Sequence, residues 1–387
     1  MKKLIYNATI FAEDKKIEKG WILFNDKILD YGEGEPTIID CEEKIDACGK
    51  AVIPGLIDMQ ANGGGGNLFM DATQEAIENI LCTHVKHGVT GLLATTVAWS
   101  DEEQFNALSA CADYCEKASN GTKLLGVHME GPFINPAKAG AHNKKFLKEP
   151  SCDKLKAFVE KGRGIVKLIT VAPELENCNE MIRYAVEQGI CVSAGHSIAT
   201  YNDMQGAIDS GLRMATHLFN TMNGITARDP GIVGAIIDSS SPVFGSLVCD
   251  GVHVHPANLK ALYKCAGADK IILITDCAPI AGTDKKEWML ENFKVTIKGY
   301  TGYLDNGTIA GSCLTLNKAC MIAKRCMGAT TEEVLKMGAL NPAIALNISD
   351  SKGSIKIGKD ADLAVINNDV DFDVYTTVVE GKIVYKR

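Results

Sequence analysis

Apolar positions follow two different rhythms along this chain. Over the first fifty residues they alternate with polar ones in short runs, 4–11, 21–30 and 37–45, broken by Gly, Asp and Glu. That pattern predicts strands and turns. The C-terminal stretch repeats it at 362–366 and 377–385. Between the two ends, almost wholly apolar runs occur at 56–60, 91–97, 124–130, 166–172, 191–196, 213–219, 245–252 and 271–277. Segments with helical periodicity separate most of them, such as 73–87, 101–118 and 179–188. Eight buried strands alternating with helices place the chain in the α/β class and predict a TIM-type (β/α)8 barrel. The irregular spacing between the sixth and seventh runs leaves a doubly wound sheet open on pattern alone. The two β-rich ends, 1–53 and 355–387, are expected to pair into one small β-sandwich domain, with 54–354 forming the barrel.

Composition narrows the function. The 387 residues are 46% hydrophobic and 23% charged, enough for a large core. Forty Lys and Arg against 48 Asp and Glu give a net charge of −8, which argues against a nucleic-acid partner but not against a small anion. The 14 cysteines are scattered singly and form no CxxC pair, as expected of reduced core thiols in the cytoplasm. The first residues, MKKLIYNATIFAEDKK, do not read as a signal peptide, and no apolar run is long enough to predict a membrane span.

In a barrel, chemistry belongs at the C-terminal ends of strands, and polar residues break the apolar runs at those ends. Strand one ends in Asp58-Met59-Gln60-Ala61-Asn62, strand three in His128-Met129-Glu130, strand five in Gly195-His196 and strand six in Thr216-His217. Strand seven carries Asp250-Gly251-Val252-His253, and strand eight ends in Thr275-Asp276. Glu130, His196 and His217 suit a divalent transition metal, and three protein ligands with an open position suit a catalytic site. Asp276 ends an apolar strand, where an unpaired carboxylate is costly to bury. It reads either as a helix N-cap or as a base acting on water. His142 follows strand three in a loop that can face the site. His84 and His87 read as the solvated face of a helix, and the His253/His255 pair as a weak metal motif. The four glycines 63–66 fit no nucleotide-binding fingerprint and predict a close-approach loop.

These motifs resemble the amidohydrolase superfamily and, within it, the N-acetylglucosamine-6-phosphate deacetylases. The resemblance rests on Pro54-Gly55-Leu56-Ile57-Asp58, Glu130-Gly131-Pro132-Phe133, Gly195-His196-Ser197, Thr216-His217-Leu218-Phe219-Asn220 and Arg228-Asp229-Pro230-Gly231. It continues through Asp250-Gly251-Val252-His253, Thr275-Asp276, Ala310-Gly311-Ser312 and Gly358-Lys359-Asp360-Ala361-Asp362-Leu363. It implies Glu130, His196 and His217 as metal ligands, with Asp276 catalytic and His142 assisting it at the acetyl carbonyl. Substrate contacts would fall on Ala141, His142, Asn220, Thr221, Arg228, His253, Ile309, Ala310 and Gly311. It also implies a homodimer in which Arg228 reaches the neighbouring sugar phosphate.

The superfamily's usual His-x-His on strand one is replaced here by Gln60 and Asn62. Neutral amides bind zinc poorly, so one divalent ion per chain is expected, zinc first, with iron(II), cobalt and manganese also compatible with this donor set. The implied reaction releases acetate and D-glucosamine 6-phosphate in the cytoplasm. N-acetylgalactosamine 6-phosphate is the alternative substrate, and an inactive barrel acting as a binding protein is the alternative class. A dihydroorotase-like activity is disfavoured, because strand four ends in Thr170-Val171-Ala172-Pro173 with no lysine.

Overall fold

The computed structural model describes residues 1–36, 40–116, 120–240, 243–290, 293–307 and 309–387. Eight parallel strands form one sheet: Leu56–Ala61, Val89–Val97, Lys123–Glu130, Val166–Val171, Cys191–Ala194, Met214–Ala215, Phe244–Val248 and Ile271–Ile274. Each of the eight predicted runs contains a strand, the sixth only at Met214–Ala215. The first and last also meet. The Asp276 N–H donates to the Gln60 carbonyl at 2.8 Å, and Ala61 bridges Cys277 in parallel register. That closure makes the sheet a barrel and removes the doubly wound alternative. Leu56–Ala61, Phe244–Val248 and Ile271–Ile274 are buried along their whole length, because side chains fill the barrel on one face and meet helices on the other.

A helix follows each strand, and the sequence sets where several of them begin. Thr73, Ser100, Ser151 and Thr200 each accept a backbone N–H at the start of Gln74–His84, Asp101–Cys115, Cys152–Lys161 and Tyr201–Asp209. The helix predicted over 101–118 runs to Cys115, and its last two predicted positions lie outside the described residues. Strand eight departs furthest from the simple alternation. Before its helix, Leu316–Met327, the chain makes a four-stranded antiparallel sheet of Glu287–Leu290, Phe293–Lys298, Thr301–Leu304 and Ile309–Ser312. The sequence reading had not anticipated this insertion. No helix begins directly after strand eight, so Asp276 is not an N-cap.

Strands from both termini build the small β-sandwich domain around a second core that includes Ile5, Ile22, Phe24, Val52, Leu363, Val365 and Val378. Lys3–Phe11 pairs with Lys16–Phe24 on one side and with Ala51–Pro54 on the other, which in turn pairs with Leu363–Ile366. The run predicted over 21–30 is split between Lys16–Phe24 and Ile28–Glu33. Of the strand predicted over 37–45, positions 37–39 lie outside the described residues, and the described strand is Glu43–Asp46.

The Lys359-Asp360-Ala361-Asp362 motif ties this domain together. Buried Lys352 pairs with Asp360 at 2.8 Å and Asp362 at 2.7 Å, while Lys359 reaches Glu13 at 3.1 Å. Charges removed from water persist only when paired in this way.

Candidate metal centre and active site

Glu130 is the last residue of strand three, and His196, His217 and Asp276 each stand just beyond strands five, six and eight. The three latter residues have left-handed backbones, with φ of 48°, 32° and 47°. Side chains other than glycine avoid this region, so the positions are strained and must be held from outside. Ser246 Oγ accepts the His217 N–H at 2.8 Å, and the Gln60 carbonyl accepts that of Asp276. Below the rim, buried hydroxyls and a histidine form a chain. Ser193 Oγ lies 2.6 Å from Thr216 Oγ1, which lies 2.8 Å from Thr170 Oγ1, itself 2.8 Å from His128 Nε2. Burial pushes His128 down to about 4, so it is neutral at pH 7.

His196 Nε2 and His217 Nε2 lie 3.1 Å apart, and both face Glu130 Oε1, at 3.2 and 2.9 Å. Burial pushes the Glu130 carboxyl up, but hydrogen bonds from these two imidazoles outweigh it and hold the group well below the usual range. Burial opposes charge on His217, and the Glu130 hydrogen bond raises it regardless. A buried carboxylate and two imidazoles crowding one point form a donor set short of a cation.

A second buried triad, Glu130, His142 and His196, also brings its donor atoms close enough to share an ion. Backbone partners separate the two. His196 Nδ1 lies 2.8 Å from the Lys138 carbonyl, which can only accept, so Nδ1 keeps its proton and, in the neutral form that binds a cation, Nε2 turns a lone pair to the cluster. His142 Nδ1 accepts the Ala98 N–H at 3.1 Å, so in its neutral form Nε2 carries the proton. Burial pushes His142 down to about 4, which keeps it neutral. His142 thus presents a donor to the site, 3.9 Å from Glu130 Oε2, whereas His196 presents an acceptor. The buried Glu/His/His cluster suggests a metal site, and Glu130, His196 and His217 fit it.

Asp276 stands beside this cluster. Its Oδ1 accepts from Gln60 Nε2 at 3.1 Å and Asn62 Nδ2 at 3.0 Å, and Gln60 Nε2 also donates to Glu130 Oε1 at 2.9 Å. One neutral amide therefore bridges two carboxylates. Burial, and next the Glu130 charge, raise the Asp276 carboxyl above its ordinary value. Under the rim, fully buried Asp58 accepts from Thr275 Oγ1 at 2.6 Å and from the Gln60 N–H at 3.2 Å, and burial pushes it up to about 7. Asp58 and His128 stood among the polar strand ends in the sequence but were given no role. The available signal was a polar residue inside an otherwise apolar run.

The remaining predicted residues surround the centre less tightly. Ala141 is exposed next to buried His142. Asn220 donates from Nδ2 to the His217 carbonyl at 3.2 Å, and Thr221 has a buried hydroxyl with no partner among the described residues. His253 Nδ1 meets Asp250 Oδ2 at 2.7 Å. Ile309, Ala310 and Gly311 form the last strand of the insertion, which joins the barrel where Ala278 N–H donates to the Ser312 carbonyl. Arg228 stands apart on an exposed loop, with no ion pair to any described residue of its own chain. His255 caps the helix Pro256–Ala266 and belongs to no metal cluster among the described residues.

His84 departs from expectation. It is buried, with Nε2 2.9 Å from the Gly63 carbonyl, because the glycine loop folds over its helix. That loop is the predicted close approach. A Cβ on Gly63 would lie 2.0 Å from the Asn67 carbonyl oxygen, and one on Gly65 2.4 Å from Thr83 Oγ1.

The amidohydrolase family model matches residues 51–384. An N-acetylglucosamine-6-phosphate deacetylase of Bacillus subtilis is 31% identical over 386 residues, covering 99% of this chain and 97% of that protein. One of Haemophilus influenzae is 33% identical over 394 residues, covering 99% of both. The crystal structure of the N-acetylglucosamine-6-phosphate deacetylase from Pasteurella multocida superposes over 100% of both chains with a TM-score of 0.92 at 31% identity.

Proposed function

The chain belongs to the amidohydrolase family, and on that premise we propose that it hydrolyses N-acetyl-D-glucosamine 6-phosphate to D-glucosamine 6-phosphate and acetate. The observation that carries this reading is the convergence of Glu130, His196, His217 and Asp276 at one barrel mouth, in a chain similar over its length to such deacetylases. Glu130, His196 and His217 would hold one divalent ion, zinc in the first instance. When bound, that ion supplies Lewis-acid chemistry, which polarises a carbonyl and acidifies water.

The protein's own groups do the rest. Asp276 takes a proton from the attacking water, whose oxygen bonds to the acetyl carbon. His142, protonated on Nε2, donates to the carbonyl oxygen as it gains charge. Asp276 then passes the proton to the amine as the C–N bond breaks, and acetate leaves. Its raised affinity for protons suits this double use, since it must accept and release one near neutral pH. Gln60 spends both amide protons on Glu130 and Asp276, which supports a single ion rather than a pair.

At the rim, Ala141, Asn220, Thr221 and the 309–311 strand would contact the sugar, and His253 its phosphate. Arg228, unpaired and exposed, suits a phosphate bound by a second copy of the chain, so we infer a homodimer. A phosphorylated sugar substrate and 14 unpaired thiols support a cytoplasmic reaction. Acetate release measured with N-acetylglucosamine 6-phosphate, its galactosamine epimer and the unphosphorylated sugar tests the reading. The first should lead in kcat/KM. A lead for the epimer would reassign the substrate, and no release from any would mark an inactive barrel.

A further inference from the structure

The carboxylate of Asp250 is surrounded by four donors. Its Oδ1 accepts the Val252 and His253 N–H groups, each at 2.8 Å. Its Oδ2 accepts His253 Nδ1 at 2.7 Å and Thr301 Oγ1 at 2.8 Å. The Asp250 side chain has no solvent exposure, and Thr301 is fully buried. Three of these donors come from the turn after strand seven. The fourth comes from the inserted sheet, from the first residue of Thr301–Leu304. A buried carboxylate that lost one donor would have to turn toward another, and His253 would turn with it.

With Nδ1 held as the donor to Asp250, His253 keeps Nε2 for a ligand, and its side chain is 12% exposed. On one side Thr301–Leu304 pairs with Ile309–Ser312, whose Ser312 carbonyl accepts from Ala278, two residues after Asp276. One small sheet thus touches both the supporter of His253 and the end of strand eight. We propose that Thr301 is a positioning residue for substrate binding, acting through Asp250 to fix the tautomer and orientation of His253 and so coupling the inserted sheet to the sugar phosphate. This rests on the reading of His253 as a substrate contact.

Thr301→Val removes the hydroxyl and keeps the shape, and Thr301→Ser restores the donor. Steady-state kinetics on the metal-loaded protein should give a roughly tenfold rise in KM for Thr301→Val with a much smaller change in kcat, and near recovery for Thr301→Ser. In a His253→Ala background the valine substitution should add nothing. A 15N spectrum of the imidazole should show the Nδ1–H form depleted in Thr301→Val and intact in Thr301→Ser. An equal effect of the valine with and without His253, or an unchanged imidazole spectrum, overturns the coupling. If His253→Ala leaves KM unchanged, the substrate reading of His253 fails and the proposal fails with it. The imidazole spectrum then still shows whether Thr301 orients the ring.

Discussion

The centre and the rim of this barrel mouth are built on opposite principles. Glu130, His196 and His217 are buried and Asp276 is half-buried, all four are hydrogen-bonded to one another or to Gln60, and three of the four have strained backbones. Arg228, Ala141 and Ile309 stand on exposed loops or on the inserted sheet, and Arg228 has no described partner in its own chain. Fixed geometry at the centre serves bond-making, where small displacements are costly. The rim must admit and release a sugar, and we read it as completed by a second chain. Changes at the centre should therefore remove turnover, and changes at the rim should weaken binding.

The largest effects belong to the centre. Replacing Asp276 by Asn keeps the hydrogen bonds and removes the base, so kcat should fall by about a thousandfold or more while metal content, measured on the purified protein, stays unchanged. Near-normal turnover would end the acid–base assignment. Stripping the protein with a chelator should abolish acetate release, and adding back zinc, iron(II), cobalt or manganese should restore it at one ion per chain. Titration to two tightly held ions would overturn the bridging role given to Gln60.

At the rim, Arg228→Ala should raise KM by roughly 10- to 100-fold, with kcat changed far less, as one charge-assisted phosphate contact is lost. Mixing that variant with Asp276→Asn makes the comparison sharper. If the arginine serves the neighbouring site, a mixed dimer holds one site with both residues intact. Random exchange of subunits then recovers about a quarter of wild-type activity. No recovery after confirmed exchange would place Arg228 in its own chain's site.

The same division decided what could be read before the structure was known. Glu130, His196, His217 and Asp276 stood out because a charged or imidazole side chain at the end of an apolar run has few structural uses. His84 was misread, since helical spacing does not reveal that the 63–66 loop will cover it. The inserted sheet was missed because its short strands interrupt the βα alternation and pair only with each other and with the barrel edge. Sequence could name Arg228 through resemblance, but nothing in the order of residues says which chain's phosphate it meets. Thr301 was invisible for a similar reason. Its partner Asp250 is 51 positions away, and only folding brings the two together.

The last expected effect lies beneath the centre and bears on stability rather than on activity. Asp58 is fully buried, and its carboxyl is pushed up to about 7, against about 3.9 for an unfolded aspartate. Between those values the folded chain keeps a proton that the unfolded chain has lost. The stability contributed by Asp58 is therefore fully present below pH about 4 and is lost as pH rises toward 7, by up to about 4 kcal/mol. Asn at this position has no proton to lose and keeps an oxygen for the Thr275 hydroxyl. Denaturant unfolding of both proteins from pH 4 to 8 should show wild type losing ground to Asp58→Asn across that window and running parallel above it. Parallel curves throughout would mean that Asp58 is ionised in the fold, held by its Thr275 and Gln60 hydrogen bonds. The rigidity beneath the centre would then come from a charge rather than from a protonated acid.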